Sequence, residues 1–373
     1  MKNKISKYDF LIVGGGLIGA LTAFALCKKN FNVIVIDKEN FTLKDNRTLA
    51  VNANSKEFLE NLDLWNELKS RPQPINKIII KDYINSSPLF FVNKNEPMGN
   101  VILNREIHEL IRKKLKKLKI LKTNININFK DLKPNKLINI NRTNYIFKKI
   151  IISVGKSINQ SQKYKSIVFN QGHHSYVGFF KHANDHESIA YEIFSKEGPL
   201  AVLPSPYSNR KKSTFIYSTN KKTSYSDIHS IIKKNFQTSH GNIIFDKSID
   251  KFPVTPHIKK YDKDFIFIGD TLRSIHPVAG QGWNLGVKDI QTLCKLTEKY
   301  PLENSIFNSI YYSRRIIESS IYFGFTSTLN FMYENQNTLN RNIVKIGYES
   351  LRNFSFFRNI FIKQAMGRIN LID

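Results

Sequence analysis

The 373-residue sequence predicts an α/β protein of two or three domains. Three observations carry this. A strand, a glycine-rich turn, a helix and a second strand follow one another within residues 8–37. A second strand–turn–helix block with clustered glycines lies far down the chain, at residues 265–296. Hydrophobic residues make up 41% of the chain, which is ample for a core and excludes a disordered protein.

The first unit starts with Tyr8 to Val13, a short apolar run rich in β-formers that reads as a buried strand. Gly14, Gly16 and Gly19 follow in G-x-G-x-x-G spacing and open an apolar helix from Leu17 to Lys28. Phe31 to Ile36 is the second strand, and Asp37 ends it. This is a complete βαβ dinucleotide-binding fingerprint. Gly14 allows the tight turn, Gly16 lets the backbone approach a pyrophosphate, and Gly19 permits close helix–strand packing. The helix N-terminus offers free N–H groups and positive potential to the phosphates. Asp37 is placed to accept hydrogen bonds from an adenosine ribose. The fingerprint does not choose between NAD and FAD. A loop with Asp45 and Arg47 comes next, then an apolar-periodic helix near Ser55 to Leu68. Arg47 reads either as a contact to a flavin phosphate or ring, or as a solvated loop residue.

Strand-like runs at Asn76 to Tyr83 and Leu89 to Val92 precede a helix from Asn104 to Lys119. The apolar side of that helix is Ile107, Leu110, Ile111, Leu115 and Leu118, and its lysine run reads as a solvated face. Ser175 to Lys181, Leu200 to Leu203 and Ser213 to Tyr217 suggest further sheet. Phe265 to Ile268 is an apolar β-rich run followed by Gly269 and Asp270. Pro277 and Gly280 to Gly282 punctuate a turn. From Trp283 the apolar positions Leu285, Val287, Ile290, Leu293 and Leu296 recur at helical spacing. A strand end and a helix N-terminus therefore meet a second time, a place suited to negative charge on a bound ring.

Five blocks along the chain together resemble the ubiquinone-biosynthesis hydroxylase family of FAD-dependent aromatic monooxygenases. They are GGGLIGA from Gly14, DNRTLAVN from Asp45, HESIAYEIFSKEGPLAVLP from His186, IGDTLRSIHPVAGQGWNLGVKDI from Ile268, and AMG from Ala365. The third block and the HP-x-AGQG-x-NLG core of the fourth are the most specific.

The resemblance implies a para-hydroxybenzoate-hydroxylase-like fold. A Rossmann-like FAD-binding domain would span 1–70, 100–165 and 255–300. A mainly antiparallel substrate-binding sheet from 71–99 and 166–254 would interrupt it, and 301–373 would form a helical tail. The implied cofactors are FAD, with NAD(P)H as reductant. Gly14, Gly16, Gly19 and Asp37 would hold the FAD diphosphate and adenosine ribose, and Arg47 would lie along the flavin. Asp270 would bind the ribityl chain. Pro277, Ala279, Gly280, Gln281, Gly282 and Asn284 would wrap the isoalloxazine through backbone groups. His276 would border the ring as the candidate catalytic residue, or serve only as a structural histidine before a proline turn. The implied reaction is hydroxylation of the aromatic ring of a polyprenylated phenol with oxygen. Quinone-biosynthesis complex subunits are further candidate partners.

Two stretches depart from the family pattern. Val154 stands where an Asp is expected before Gly155, and Thr271, Leu272 and Arg273 replace small alanines and a histidine after Asp270. They bear on nicotinamide docking and flavin reduction. They leave two alternatives, a degenerate FAD-binding scaffold of a quinone-biosynthesis complex and an FAD-dependent isoprenoid reductase.

The formal charge is +27, from 57 Lys+Arg against 30 Asp+Glu. Nucleic acid is not the expected partner. The cations are mostly Lys rather than the Arg suited to bidentate phosphate contacts, and no aromatic–basic recognition motif is present. AT-rich codons account for the surplus of Lys, Asn, Ile, Phe and Tyr, and an anionic membrane surface is the other reading. The uncharged run Phe10 to Cys27 superficially resembles a membrane segment, but three consecutive glycines argue against a stable apolar helix there. A cytoplasmic protein, peripheral on the inner membrane face, is expected. Cys27 and Cys294 exclude a disulfide framework and read as small packing residues. In the tail, Leu351, Phe354, Phe357 and Phe361 fall at helical spacings beside Arg352, Arg358 and Lys363. That stripe reads as a contact to membrane or a partner, or as docking of the last helix on the core.

Overall fold

The computed structural model describes residues 5–40, 47–85, 87–160, 166–168, 172–206, 210–277, 280–335 and 337–369. One sheet is built on the glycine-loop strand Ser6–Val13. Val33–Ile36 and Thr143–Ile152 pair parallel on its two sides, and Leu121–Lys122 and Phe265–Phe267 extend the sheet outward. Val13, Ile36, Ile152 and Phe267 come into register, so four parallel strands end together at one edge. Alternate residues point to opposite faces of a strand. Phe10, Ile12, Val35 and Ile151 accordingly pack on one side beneath helices Leu17–Lys28, Asn104–Lys117 and Gly282–Lys299. Leu11, Val13, Ile150 and Ile152 pack on the other with Ile138, Ile140 and Phe265. Each side chain so buried contributes roughly 2 kcal/mol of transfer free energy.

The second sheet has seven strands in the order Ile243–Pro253, His174–His182, Lys212–Thr219, Gly198–Pro204, Ile189–Ser195, Lys77–Asp82 and Leu89–Val92. All its neighbours are antiparallel except Ile189–Ser195 against Lys77–Asp82. One face carries Phe180, Phe215 and Tyr217 and is covered by helix Tyr225–His240 through Ile228, Ile232 and Phe236, spaced one turn apart. Ser224 and Asp227 cap that helix reciprocally. The tail folds into helices Phe307–Glu334, Thr338–Asn353 and Ser355–Ala365. Among the described residues no helix is long and apolar enough to cross a membrane.

The expected elements are present with adjusted ends. The helix expected near Ser55 to Leu68 runs only over Ala53–Asn61, because Asp63 takes a left-handed conformation (φ 57°), and a single 3₁₀ turn follows at Trp65–Glu67. The run Asn76 to Tyr83 forms strand Lys77–Asp82, and a short strand just before it, Gln73–Ile75, joins a small separate sheet. The tail stripe is corrected. The helix breaks at Phe354, leaving Phe354 and Phe357 exposed while Leu351 and Phe361 turn inward. Leu118 is also exposed, just past the end of its helix. Both thiols are held protonated, since burial pushes Cys27 up to about 11 and Cys294 up to about 12.

Three buried histidines make the fold acid-sensitive. Burial pushes His186, His240 and His276 down to about 4. Their ordinary value is near 6.5, so the unfolded chain binds protons that the folded chain refuses. Stability is complete above about pH 6.5 and falls as the pH drops toward 4. Going from pH 7 to pH 5 is expected to cost about 2 kcal/mol per ring, read as a lower urea midpoint. An unchanged midpoint would show the rings to be charged in the folded state.

Candidate active site

The aligned strand ends converge on two glycine-bearing turns. In the first, Gly14 has φ +104°, and a Cβ there would lie 2.3 Å from the Ser153 carbonyl oxygen. A Cβ on Gly19 would meet the Gly14 carbonyl oxygen at 2.0 Å. Gly16 differs, for a Cβ there would find no atom within 4 Å. It is also the N-cap of helix Leu17–Lys28, whose end has no side-chain cap and no acidic residue in its first turn. This is an open, electropositive cradle beside bare backbone N–H groups, which fits a diphosphate.

Asp37 stands beside this loop and is buried. Its Oδ2 accepts from the Gly15 N–H at 3.0 Å and from Arg112 Nη1 at 3.3 Å, and its Oδ1 accepts from the Glu39 N–H at 3.1 Å. Arg112 Nη1 also donates to the Gly15 carbonyl, 3.1 Å away, and His108 Nε2 lies 3.1 Å from the same oxygen. Two residues not singled out in the sequence therefore pin the glycine loop. They lie four apart on the buried side of helix Asn104–Lys117, beside Ile107 and Ile111. A His and an Arg on an otherwise apolar helix face are the signal that marks them.

The second turn follows Phe265–Phe267. Asp270 is exposed in the turn Gly269–Thr271, and its charge reaches Lys156 and His257. Ile18, on the first helix, packs on the bare faces of Gly269 and Gly286, where added Cβ atoms would lie 3.0 and 2.6 Å away. The two glycine-rich blocks are thus in direct contact. Arg47 is exposed, its guanidinium 5.0 Å from the centre of the Phe252 ring. His276 is buried, and Pro277, Gly280, Gln281 and Gly282 are partly so. Ala279 lies outside the described residues. Asn284 is committed to structure. Its Oδ1 accepts from the Asn52 N–H at 3.1 Å and its Nδ2 donates to the Ala50 carbonyl at 3.0 Å. This ties the start of helix Gly282–Lys299 to strand Thr48–Val51.

A cavity of about 360 Å³ starts at Pro277, Gly280, Gln281 and Asn284. It runs beneath the seven-stranded sheet, past Ile78, Ala190 and Leu203, and reaches the tail helices at Met332, Val344 and Tyr348. Phe325, Ile343 and Gly347 both line it and are exposed, so its mouth lies between the first two tail helices. Its walls are largely aliphatic and aromatic, as in sites for apolar ligands.

The departures from the family pattern are accommodated locally. Val154 packs against the apolar cluster on the far face of the parallel sheet. Arg273 is buried, and its Nη1 donates to Asp289 Oδ2 at 2.6 Å. The other Asp289 oxygen accepts from Arg315 Nε at 2.7 Å, and Arg315 also pairs with Glu318. Lys288 Nζ lies 2.7 Å from Glu318 Oε1. The substituted arginine is thus held in a buried network of three cations and two carboxylates.

Residues 7–134 match the family described as FAD binding domain. Over the whole chain the solved p-nitrophenol 4-monooxygenase PnpA from Pseudomonas putida is similar in fold, with TM-score 0.74 at 14% identity, covering 97% of this chain and 98% of that one. Together with the glycine cradle, these define an FAD-binding protein with the para-hydroxybenzoate-hydroxylase-like fold of FAD-dependent monooxygenases. Two curated relatives narrow the class. The ubiquinone hydroxylase UbiL of Rhodospirillum rubrum is 24% identical, over 97% of this chain and 90% of its own. The 3-demethoxyubiquinol 3-hydroxylase of Escherichia coli is 23% identical, over 76% and 78%. The chain is thus similar over most of its length to ubiquinone-biosynthesis hydroxylases.

Proposed function

We propose that the protein hydroxylates the aromatic ring of a polyprenylated phenol in ubiquinone biosynthesis, using FAD, NAD(P)H and oxygen. The observation that carries the substrate class is the apolar cavity joining the second glycine turn to a mouth between the tail helices. It is large enough for a phenol head and the first part of a tail, and the remaining tail leaves through the mouth.

Bound FAD supplies the redox chemistry and the activation of oxygen. The chain's own residues bind, orient and shield. Gly14, Gly16 and Gly19 shape the diphosphate cradle. Asp37 keeps acceptor capacity on Oδ1 for a ribose hydroxyl. Arg47 and Asp270 would flank the cofactor, and Pro277, Gly280, Gln281 and Gly282 would border its ring through backbone groups. Asn284 fixes that turn by clamping strand Thr48–Val51. The cavity walls exclude water from the reacting ring.

The tail bears on delivery of a lipid substrate. Leu339, Ile346, Phe354, Phe356 and Phe357 are exposed around the cavity mouth's helices. Arg341, Lys345, Arg352 and Lys363 are exposed beside them. An apolar surface ringed by cations suits the face of an anionic membrane.

The test is purified holo-protein given a polyprenyl phenol in phosphatidylglycerol vesicles. NADH or NADPH oxidation with oxygen uptake and a hydroxylated product is expected, with slower turnover from phosphatidylcholine vesicles. Gly347→Trp, which places a large ring at the mouth, is expected to raise KM at least tenfold for the long-tailed phenol and to leave a tailless phenol unaffected. Flavin that neither nicotinamide reduces would favour a scaffold instead.

A further inference from the structure

We propose that Glu192 selects the head group of the substrate, accepting a hydrogen bond from a ring hydroxyl and repelling a ring that carries a carboxylate. The proposal rests on the hydroxylase reading above and deepens it. Glu192 lies in the middle of strand Ile189–Ser195 of the seven-stranded sheet. It lines the cavity and is 9% exposed.

Strand alternation decides where it points. Tyr191 and Ile193 pack under helix Tyr225–His240, so Ala190, Glu192 and Phe194 share the opposite face, toward the cavity. Ala190 packs in one cluster with Ala53, next in the chain to the Asn52 that Asn284 holds. That end adjoins the second glycine turn. Phe194 stacks on Tyr333 of the first tail helix, 4.4 Å between ring centres, toward the mouth. Glu192 stands between the two ends, about 7 Å along the strand from either neighbour. Opposite it in the sheet are Ala201 and Ile80, both of which line the cavity. Among the described residues that line this cavity, Glu192 is the one carboxylate, and no Lys, Arg or His lines it.

The uncharged polar groups of the lining are engaged elsewhere. The Tyr333 hydroxyl donates to Asp82 Oδ2 at 2.8 Å, and the Tyr348 hydroxyl donates to the Ser87 carbonyl at 2.6 Å. Asn52 Oδ1 accepts from the Ser55 N–H at 2.9 Å, and Asn284 clamps strand Thr48–Val51. A carboxylate offers two oxygens and about four lone-pair positions. Glu192 can therefore accept from a ligand beside any hydrogen bond it makes within the protein.

Two selections follow from this chemistry. A ring hydroxyl donates to the carboxylate, and a methyl ether at the same position has no proton to give. A ring carboxylate brings a second negative charge into a cavity without a cation, where apolar walls leave the repulsion weakly screened. A charged side chain on an apolar wall costs desolvation that its neighbours Ala190 and Phe194 do not, and a ligand hydroxyl offsets part of that cost. The head group that fits is an uncharged phenol with its hydroxyl against the sheet, and its apolar tail runs on past Phe194 to the mouth. Glu192 is a specificity-determining residue in this scheme, and no proton leaves the substrate.

The experiment is equilibrium dialysis of FAD-loaded protein against three probes: a short-chain prenylphenol, its methyl ether, and the same prenylphenol bearing a ring carboxylate. Wild type is expected to bind the phenol at least tenfold more tightly than the ether and at least a hundredfold more tightly than the carboxylate. Glu192→Leu is expected to bring phenol and ether within threefold of each other, with FAD affinity unchanged. Glu192→Gln removes the charge and keeps a carbonyl acceptor, so it is expected to bind the carboxylate at least tenfold more tightly than wild type and still to prefer phenol to ether. A purely structural role would weaken all three probes alike, and that result overturns the proposal. So does a wild type that binds phenol and ether equally, or a Glu192→Gln that matches wild type on the carboxylate. The wild-type ratios and Glu192→Gln decide the matter if Glu192→Leu does not fold. A wild type that neither binds nor hydroxylates any of the probes would overturn the hydroxylase reading instead.

Discussion

Gly16→Val is expected to leave a folded apoprotein that no longer holds FAD. A Cβ at this position meets no atom within 4 Å, and its backbone is extended, with φ −64° and ψ 178°. Valine is comfortable in that conformation. The added methyls project only into the cradle beside the helix N-terminus, where a diphosphate must approach the backbone. The variant should match the wild-type apoprotein in circular dichroism and thermal midpoint, with FAD affinity at least 100-fold weaker. Gly14→Ala provides the contrast. Its Cβ would collide with the Ser153 carbonyl and its φ is +104°, so it should lose stability as well as flavin. Stoichiometric flavin in purified Gly16→Val would refute the placement of the cofactor.

Asp289→Ala is expected to be among the most damaging single changes to stability. Asp289 is fully buried and accepts from Arg273, Arg315 and the Gly269 backbone N–H. Removing it takes the carboxylate partner from buried Arg273, leaves Arg315 with Glu318 alone, and unpairs a backbone donor. Breaking a buried pair from one side costs about 3–5 kcal/mol. Denaturant unfolding of the FAD-loaded protein should show a loss near the upper end of that range, because two cations share the one carboxylate. Arg273→Ala should cost less, since Asp289 keeps Arg315 and Gly269. Equal losses for the two variants would mean that Asp289 does not hold both cations.

The cofactor half of the molecule was legible because its chemistry constrains sequence locally. Gly14, Gly16 and Gly19 are needed at fixed spacing, and the parallel strands beside them are continuous apolar runs. The supporting residues were not legible. His108 and Arg112 reach the glycine loop from a helix far along the chain, and only tertiary structure brings them there. Strand Ile243–Pro253 lies at a sheet edge with much of its length exposed, so its pattern carries little apolar signal. The stripe from Leu351 to Phe361 satisfied helical spacing, yet the chain breaks inside it at Phe354. Periodicity registers a repeat without registering an interruption. The tail's part in the cavity was equally hidden, since Met332, Val344 and Tyr348 face the site only through the fold.

Ile18 fills the space left by two glycines that stand far from it in sequence, Gly269 and Gly286. A methyl group at Gly286 would press first on the Ile18 Cδ1 at 2.6 Å, so a smaller side chain at position 18 would make room for it. Gly269 has φ +62°, so its glycine is held by backbone conformation as well as by Ile18. One side chain of the first cofactor motif thereby shapes the backbone of the second.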